Sequence, residues 1–187
     1  MKKKILFVFL TLVVLGLAGL VWLGVQNDKA DVVYDKTLTV PAQAIKVLRL
    51  SSLEQPAKVI VRESEQAETT VHISGRLAKN NIDAMEEQFG IDDEGDLLIS
   101  FAKEGFSMTV MGEKPTVTIE INLAKGVSFE DFSYFSSNGG ADISLPASFD
   151  GIFQVRGGKI SKPEDGINQK RQAKIETQKG DISITLN

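Results

Sequence analysis

Apolar and polar residues alternate with a period of two along most of the chain after residue 36. The clearest example is the segment 116–123, in which Val117, Ile119, Ile121 and Leu123 point one way and polar residues point the other. Such alternation is typical of a strand that is buried on one face only. Comparable strand candidates, separated by Gly, Asn or Asp, are residues 46–51, 58–63, 69–74, 97–102, 131–136, 152–156 and 174–178.

The segment 80–89 has a different spacing. Its apolar residues, Ile82, Met85 and Phe89, are spaced like one face of a short helix, and Asn80 or Asn81 could cap it. A strand that ends within residues 86–90 is the alternative. In that case the residues 92–95, Asp-Asp-Glu-Gly, would form a hairpin turn into the strand that begins at Leu97.

The last third of the chain contains a degenerate repeat. In each copy a strand is followed by a glycine turn and by a second short strand that opens on an isoleucine; the turns and second strands are residues 139–144, 157–161 and 180–183. Units of this kind bury a common core only against their neighbours. We therefore predict an all-β domain of stacked strand-turn repeats, similar to a β-helix, with residues 162–173 as a protruding loop.

The start of the chain is apolar throughout. Residues 5–25 are interrupted only by Thr11, and three lysines precede them. About 20 apolar residues suffice for a helix to cross a bilayer, and flanking lysines favour the cytoplasmic side. A cleaved signal peptide is the alternative, but its apolar core is typically shorter. The sequence thus predicts a single-pass membrane protein with a cytoplasmic tip at 1–4, a transmembrane helix at 5–25, a stalk at 26–36 and an extracytoplasmic β-repeat domain at 37–187.

The charge balance argues against one class of partner. The chain carries 21 Lys and Arg against 25 Asp and Glu, a net charge of −4, and the part after the apolar run carries −7 because Lys2, Lys3 and Lys4 lie before it. An acidic domain is a poor candidate for nucleic acid, whose affinity depends on neutralised phosphates. The lack of cysteine in the sequence excludes disulfides and thiolate metal sites.

No group of residues predicts catalysis. His72 is the only histidine, and we expect it on the surface because its neighbours Val71 and Ile73 would face the core. With one histidine and no cysteine, the sequence lacks the residues that zinc sites or nucleophilic Cys-His catalysis require. The acidic cluster at 92–96 lacks the spacing of a helix-loop-helix calcium site, so we interpret it as a solvated hairpin tip. We predict a protein that is not an enzyme and that has no cofactor and no metal.

Two features are candidate contact sites. One is the only basic region of the acidic domain, formed by Lys159, Lys162, Lys170, Arg171 and Lys174, which could contact an anionic envelope polymer or lipid headgroups. A merely solvated loop is the alternative. The other is Phe135, which falls on the opposite face of its strand from Phe132 and Tyr134 and is therefore a candidate exposed aromatic contact. Packing at the end of the domain is the alternative.

Several segments resemble a known group of proteins. They are the N-terminal apolar run, residues 45–50 (Ile-Lys-Val-Leu-Arg-Leu), residues 95–100 (Gly-Asp-Leu-Leu-Ile-Ser) and residues 175–184 (Ile-Glu-Thr-Gln-Lys-Gly-Asp-Ile-Ser-Ile). Together they look like the bacterial "putative adhesin" β-strand-repeat family of unknown function, which includes LiaG-like envelope proteins. The resemblance spans roughly residues 37–187. It implies a β-helix-like domain, often associated with envelope stress, and supplies no catalytic residues.

These observations together predict a membrane-anchored protein whose β-repeat domain binds or senses a cell-envelope partner, such as an envelope protein or an anionic cell-wall polymer. The alternative is a polysaccharide-binding or polysaccharide-active β-helix, because two carboxyl groups about 5–10 Å apart on one surface can hydrolyse glycosides.

Overall fold

The computed structural model describes residues 13–15, 29–102 and 114–187. Most of the described residues lie in short strands. The strands are β1 (Val32–Val40), β2 (Ile45–Leu53), β3 (Ala57–Glu63), β4 (Thr69–Leu77), β5 (Gly90–Ile91), β6 (Leu97–Ser100), β7 (Val117–Leu123), β8 (Phe129–Ser136), β9 (Ala141–Leu145), β10 (Gly151–Arg156), β11 (Ile160–Ser161), β12 (Asn168–Thr177) and β13 (Ile182–Leu186). A helix, α1 (Lys79–Gln88), lies between β4 and β5.

Two sheets enclose one hydrophobic core. Sheet A has seven strands in the order β1-β4-β7-β3-β9-β13-β11, and sheet B has six in the order β10-β12-β8-β2-β6-β5. Both sheets are mixed, because β4 pairs antiparallel with β1 and β7, and β5 pairs antiparallel with β6, whereas the remaining pairs are parallel. The inward side chains of both sheets are fully buried, as in Leu48, Val59, Ile119 and Ile175.

The predicted β-helix is wrong. In a β-helix each coil stacks on the coil that precedes it in the sequence. Here five of the six strands of sheet B each lead into a strand of sheet A, but these two-strand units stack out of order: β2–β3 lies at the centre, with β6–β7 on one side and β8–β9 on the other. The unit β12–β13 then separates β8–β9 from β10–β11. The repeats in the sequence therefore exist as units of two strands, yet they build two mixed sheets.

The alternating pattern correctly predicts which side chains face the core. In β7 all four apolar residues, Val117, Ile119, Ile121 and Leu123, are at most 1% exposed, and the polar residues between them are half-buried. The helical alternative for residues 80–89 is confirmed by α1, which buries Ile82 and Met85, and the strand alternative is wrong. The turn at 92–95 is also present, between β5 and β6.

Two segments are more ordered than the sequence predicts. Strand β1 begins at Val32, inside the predicted stalk, and pairs along its whole length with β4. Strand β12 begins at Asn168, so the predicted loop shortens to residues 162–167. These residues lie against the edge of β10, where the amide of Gly166 donates to the carbonyl oxygen of Gly151 at 2.9 Å. The loop therefore covers part of a strand edge and does not protrude.

The predicted transmembrane helix and the localisation derived from it need correction. Of residues 5–25, the structure describes only residues 13–15, which are helical and exposed; the remainder lies outside the described residues. Within the described ranges, no helix is both long enough and apolar enough to cross a membrane.

The turns that carry the chain from sheet B to sheet A stack closely on one another. The amide of Ala57 donates to the carbonyl oxygen of Gly140 at 3.0 Å, which joins the turn of one unit to that of the next. Gly139 has a φ of +95°, and a Cβ atom there would lie 2.3 Å from the backbone nitrogen of Pro56. Glycine is therefore required at this position both for its positive φ and for the space it leaves.

We expect Gly139→Ala to lower the free energy of unfolding by at least about 2 kcal/mol more than Gly126→Ala does. Gly126 also has a positive φ, of +75°, but a Cβ atom there would meet nothing within 4 Å. Both variants place an alanine in the left-handed region of backbone conformation, which costs about 1–2 kcal/mol. The difference between their losses in free energy of unfolding therefore measures the close approach of the turns. Urea unfolding of both variants provides the measurement, and equal losses would contradict the stacking of these turns.

A second pair of variants tests the two faces of β7. Ile119→Asp should prevent folding or cost several kcal/mol, because it places an unpaired carboxylate in the core. Thr118→Asp should be tolerated, since Thr118 lies on the outer face beside Lys58 in the neighbouring strand. Circular dichroism and urea unfolding of both variants distinguish these outcomes, and similar behaviour would refute the assignment of faces.

Candidate functional site

Parallel pairing aligns the outward side chains of sheet B in rows that run across the strands. One row crosses β10, β12, β8, β2 and β6 and consists of Gln154, Lys174, Ser133, Arg49 and Leu98. The next row begins with Arg156, Glu176 and Phe135. Side chains from distant parts of the sequence thus become neighbours on one surface, which we call the outer face of sheet B.

A shallow furrow lies between these two rows where β10 and β12 meet. It encloses about 370 Å³, is open to solvent and is lined by Gln154, Val155, Arg156, Lys174, Ile175 and Glu176. The amide nitrogen of Gln154 donates to the amide oxygen of Gln172 at 3.0 Å, so the amide oxygen of Gln154 takes no part in that hydrogen bond. The furrow therefore combines charged groups with a neutral acceptor.

The two cations of the furrow are directed to solvent. The side chain of Arg156 is 84% exposed, and its guanidinium lies 3.9 Å from a carboxylate oxygen of Glu176. Lys174 is also exposed. Arg49, in contrast, donates a 2.6 Å hydrogen bond to the buried carboxylate of Asp96, so its charge is paired within the domain. Arg156 and Lys174 are therefore two exposed cations at the β10–β12 end of this face.

Phe135 lies next to the furrow. It is half-buried on the outer face of β8, in register with Glu176 of β12. The structure thus brings together two of the predicted contact residues, Phe135 and Lys174, on one surface. The sequence alone gave no reason to join them, because their proximity depends on the pairing of β8 with β12.

The remaining basic residues predicted as contacts differ in their availability. Lys159 and Lys170 are exposed. Lys162 instead donates to a carboxylate oxygen of Asp165 at 2.7 Å, and its ammonium lies 5.7 Å from the ring centroid of Phe153. Hydrogen bonds from Lys162 and from the amide of Phe153 hold the pKa of Asp165 below its usual range. Lys162 therefore contributes to holding the loop 162–167 against β10.

Arg171 has a structural role that its position in the basic region conceals. Its side chain is only 21% exposed, and its guanidinium lies 4.8 Å from the ring centroid of Phe149. The guanidinium donates to the carbonyl oxygens of Phe129 (2.7 Å), Glu130 (3.2 Å) and Ser148 (3.3 Å) and to the carboxylate of Asp150 (2.9 Å). It thereby connects β12 to β8 and to the segment that leads into β10.

His72 and the acidic cluster have local partners of their own. His72 is half-buried on the outer face of sheet A, where its Nδ1 lies 3.1 Å from the hydroxyl of Thr37. In the hairpin, a carboxylate oxygen of Asp92 accepts the amides of Glu94 and Asp96 at 2.9 Å and so shapes the turn. Across the part of the chain that the structure describes, no three acidic or histidine side chains are arranged to hold a metal ion.

Comparison with known proteins gives little guidance. No protein-family model matches the chain, and no curated protein matches it. Among solved structures, the chain is similar to a "putative cell adhesion protein" from Clostridium sporogenes, with 13% identity over 83% of this chain and 100% of that one and a TM-score of 0.38. The similarity is too low to support any conclusion about the fold or the function of this chain, and it says nothing of LiaG-like proteins.

We expect Arg171→Ala to lower the free energy of unfolding by about 2–3 kcal/mol, because four acceptors lose a charged donor. The neighbouring Lys170→Ala, which removes an exposed side chain, should change it by less than about 0.5 kcal/mol. Arg171→Lys should not restore stability, since an ammonium cannot reproduce the planar fork of donors. Urea unfolding of the three variants provides the measurement. An Arg171→Ala variant as stable as the wild type would contradict the structural role and favour the alternative of a merely solvated side chain.

Proposed function

We propose that this protein is a non-enzymatic binding module that holds an extended anionic polymer across the outer face of sheet B. The observation that carries the proposal is the open furrow, in which Lys174 and Arg156 reach solvent beside Phe135. An anionic cell-wall polymer, such as a teichoic acid, belongs to this class of ligand. The proposal does not depend on the transmembrane helix that the sequence predicted.

The shape of the furrow favours a polymer over a small molecule. Small-molecule sites are concave and typically bury 70–90% of the ligand surface. This furrow is shallow and lies on a sheet face whose rows of side chains continue across β8 and β2. A chain-like ligand can make one contact in the furrow and further contacts along the same rows, so that several weak contacts add up.

The chemistry of the furrow favours a negatively charged polymer that contains sugar rings. The guanidinium of Arg156 and the ammonium of Lys174 are suited to phosphate or carboxylate groups. The amide oxygen of Gln154 can accept a hydrogen bond from a hydroxyl group, and Phe135 offers an apolar surface on which a ring can pack. Each of these groups is supplied by a different position in the two adjacent rows.

The charge distribution along the chain supports an anionic ligand at this end of the sheet. Residues 151–187, which form β10 to β13, contain seven Lys and Arg and four Asp and Glu, whereas the whole chain has a net charge of −4. A polyanion would therefore be attracted locally and repelled by the remainder of the domain. Binding of this kind should be of modest strength and should weaken with salt, because the Debye length is about 8 Å at physiological ionic strength.

We expect Lys174→Glu in the full-length chain to weaken binding to teichoic acid by about fivefold or more, equivalent to about 1 kcal/mol. Phe135→Ala should weaken it as well, without any change in net charge. The matched control is Lys58→Glu, which makes the same charge change on the outer face of sheet A. Isothermal titration at low ionic strength measures the three affinities.

Two outcomes would contradict the proposal. If Lys58→Glu weakened binding as much as Lys174→Glu, only the net charge would matter and the furrow would have no role. If uncharged dextran bound as tightly as teichoic acid, the ligand would not be recognised through its negative charge.

A further inference from the structure

The two ends of sheet B carry opposite charge. One end is formed by α1, β5 and β6, which lie within residues 79–100; this segment contains seven Asp and Glu and a single Lys. We call it the acidic end. The other end is formed by β10 and β12 with their turns. These elements lie within residues 151–187, a segment with a net positive charge, and we call this end the basic end. The order of the strands in sheet B therefore converts a charge difference along the sequence into a separation in space.

The separation is large enough for each end to act independently. Five spacings between neighbouring strands, at about 4.8 Å each, separate β5 from β10, which gives about 24 Å. This exceeds the Debye length of about 8 Å at physiological ionic strength. The acidic end therefore neutralises little of the basic end within one molecule.

Exposed charges remain at both ends after the internal ion pairs are formed. In the acidic end, Asp83 pairs with Lys79, Glu86 with Lys36, and Asp96 with Arg49. The carboxylates of Asp93 and Glu94 lie exposed at the tip of the hairpin. In the basic end, Lys159, Lys170 and Lys174 are exposed, and Arg156 is 84% exposed although its guanidinium lies 3.9 Å from a carboxylate oxygen of Glu176.

Both ends are also edges of sheets and expose apolar side chains. Sheet A ends at β1 and β11, and sheet B ends at β5 and β10. Val33 of β1 is 70% exposed, and at the opposite end Ile160 and Ile167 are 42% and 94% exposed. Natural proteins usually protect strand edges against association with other chains. Here the loop 162–167 covers only part of one edge.

We infer that copies of this chain associate head to tail, with the acidic end of one copy docked on the basic end of the next. Contacts between two equal ends would bring like charges together, so a symmetric dimer through either end is disfavoured. A contact between unlike ends leaves one free end of each kind, and copies can therefore add in a row. The occupant of each end is thus a second copy of the same chain. This association goes beyond the proposed function, because it requires the acidic end, which lies away from the furrow.

The test uses full-length chains in a mild detergent, which keeps the apolar residues 5–25 in solution. One variant reverses the acidic end, Asp93→Lys with Glu94→Lys, and the other reverses the basic end, Arg156→Glu with Lys174→Glu. Analytical ultracentrifugation at low ionic strength compares the wild type, each variant alone and an equimolar mixture of the two. Circular dichroism confirms that every variant is folded.

The wild type should form dimers and larger species that dissociate as salt is added. Each variant alone should associate at least tenfold more weakly, because it presents two ends of like charge. The mixture should recover association, since the intact basic end of one variant meets the intact acidic end of the other, and the two reversed ends are again of opposite charge. A monomeric wild type, variants that associate like the wild type, or a mixture no better than its components would each overturn the inference.

The two proposals fail in distinguishable ways. Reversal of the acidic end should weaken self-association at least tenfold and, at physiological ionic strength, leave the affinity for teichoic acid within about twofold, since the hairpin lies at the opposite end of sheet B from the furrow. Phe135→Ala should weaken polymer binding and leave self-association unchanged.

Discussion

The close stacking of the turns between sheet B and sheet A is the constraint on which the remaining structure depends. At Gly139 the backbone of one unit approaches that of the next so closely that no side chain fits. The amide of Ala57 bonds across this contact to Gly140. Because the turns are fixed against one another, the strands on either side enter their sheets in register. The few turns between sheet B and sheet A therefore help to set the register of the parallel strands in both sheets.

This register determines what the surface can do. Inward residues of successive strands meet in one core, and outward residues of the same strands align in rows. The furrow exists because Gln154 and Arg156 of β10 stand beside Lys174 and Glu176 of β12. A shift of one residue in β12 would turn Lys174 inward, since side chains alternate between faces. The proposed ligand site and the hydrophobic core therefore depend on the same pairing.

The sequence predicted local structure well because local structure follows periodicity. The alternation in residues 117–123 identifies the buried face of β7, and the spacing of Ile82 and Met85 identifies the helix. The order in which the units stack was not predictable. Every unit offers a similar parallel edge, and nothing in the spacing of the repeats states that β12 inserts between β8 and β10.

The roles of neighbouring residues in the basic region were equally hidden. Lys170 and Arg171 are adjacent in the sequence and carry the same charge. One is exposed and the other binds three carbonyl oxygens and a carboxylate. Only the meeting of β12 with β8 and the segment before β10 distinguishes them. The transmembrane helix, inferred from the apolar run and the lysines before it, falls mostly on residues that lie outside the described part of the chain.

The stacking order is the central claim, and disulfide trapping tests it directly, because the natural chain contains no cysteine. Ser133 of β8 is in register with Lys174 of β12, so the variant Ser133→Cys with Lys174→Cys should form a disulfide readily under mild oxidation. Gln154 of β10 lies one strand further away, about 10 Å from Ser133, which is too far for a disulfide. In a β-helix with its coils in sequence order, β8 would instead be next to β10. A disulfide between positions 133 and 154, with none between 133 and 174, would contradict the structure described above.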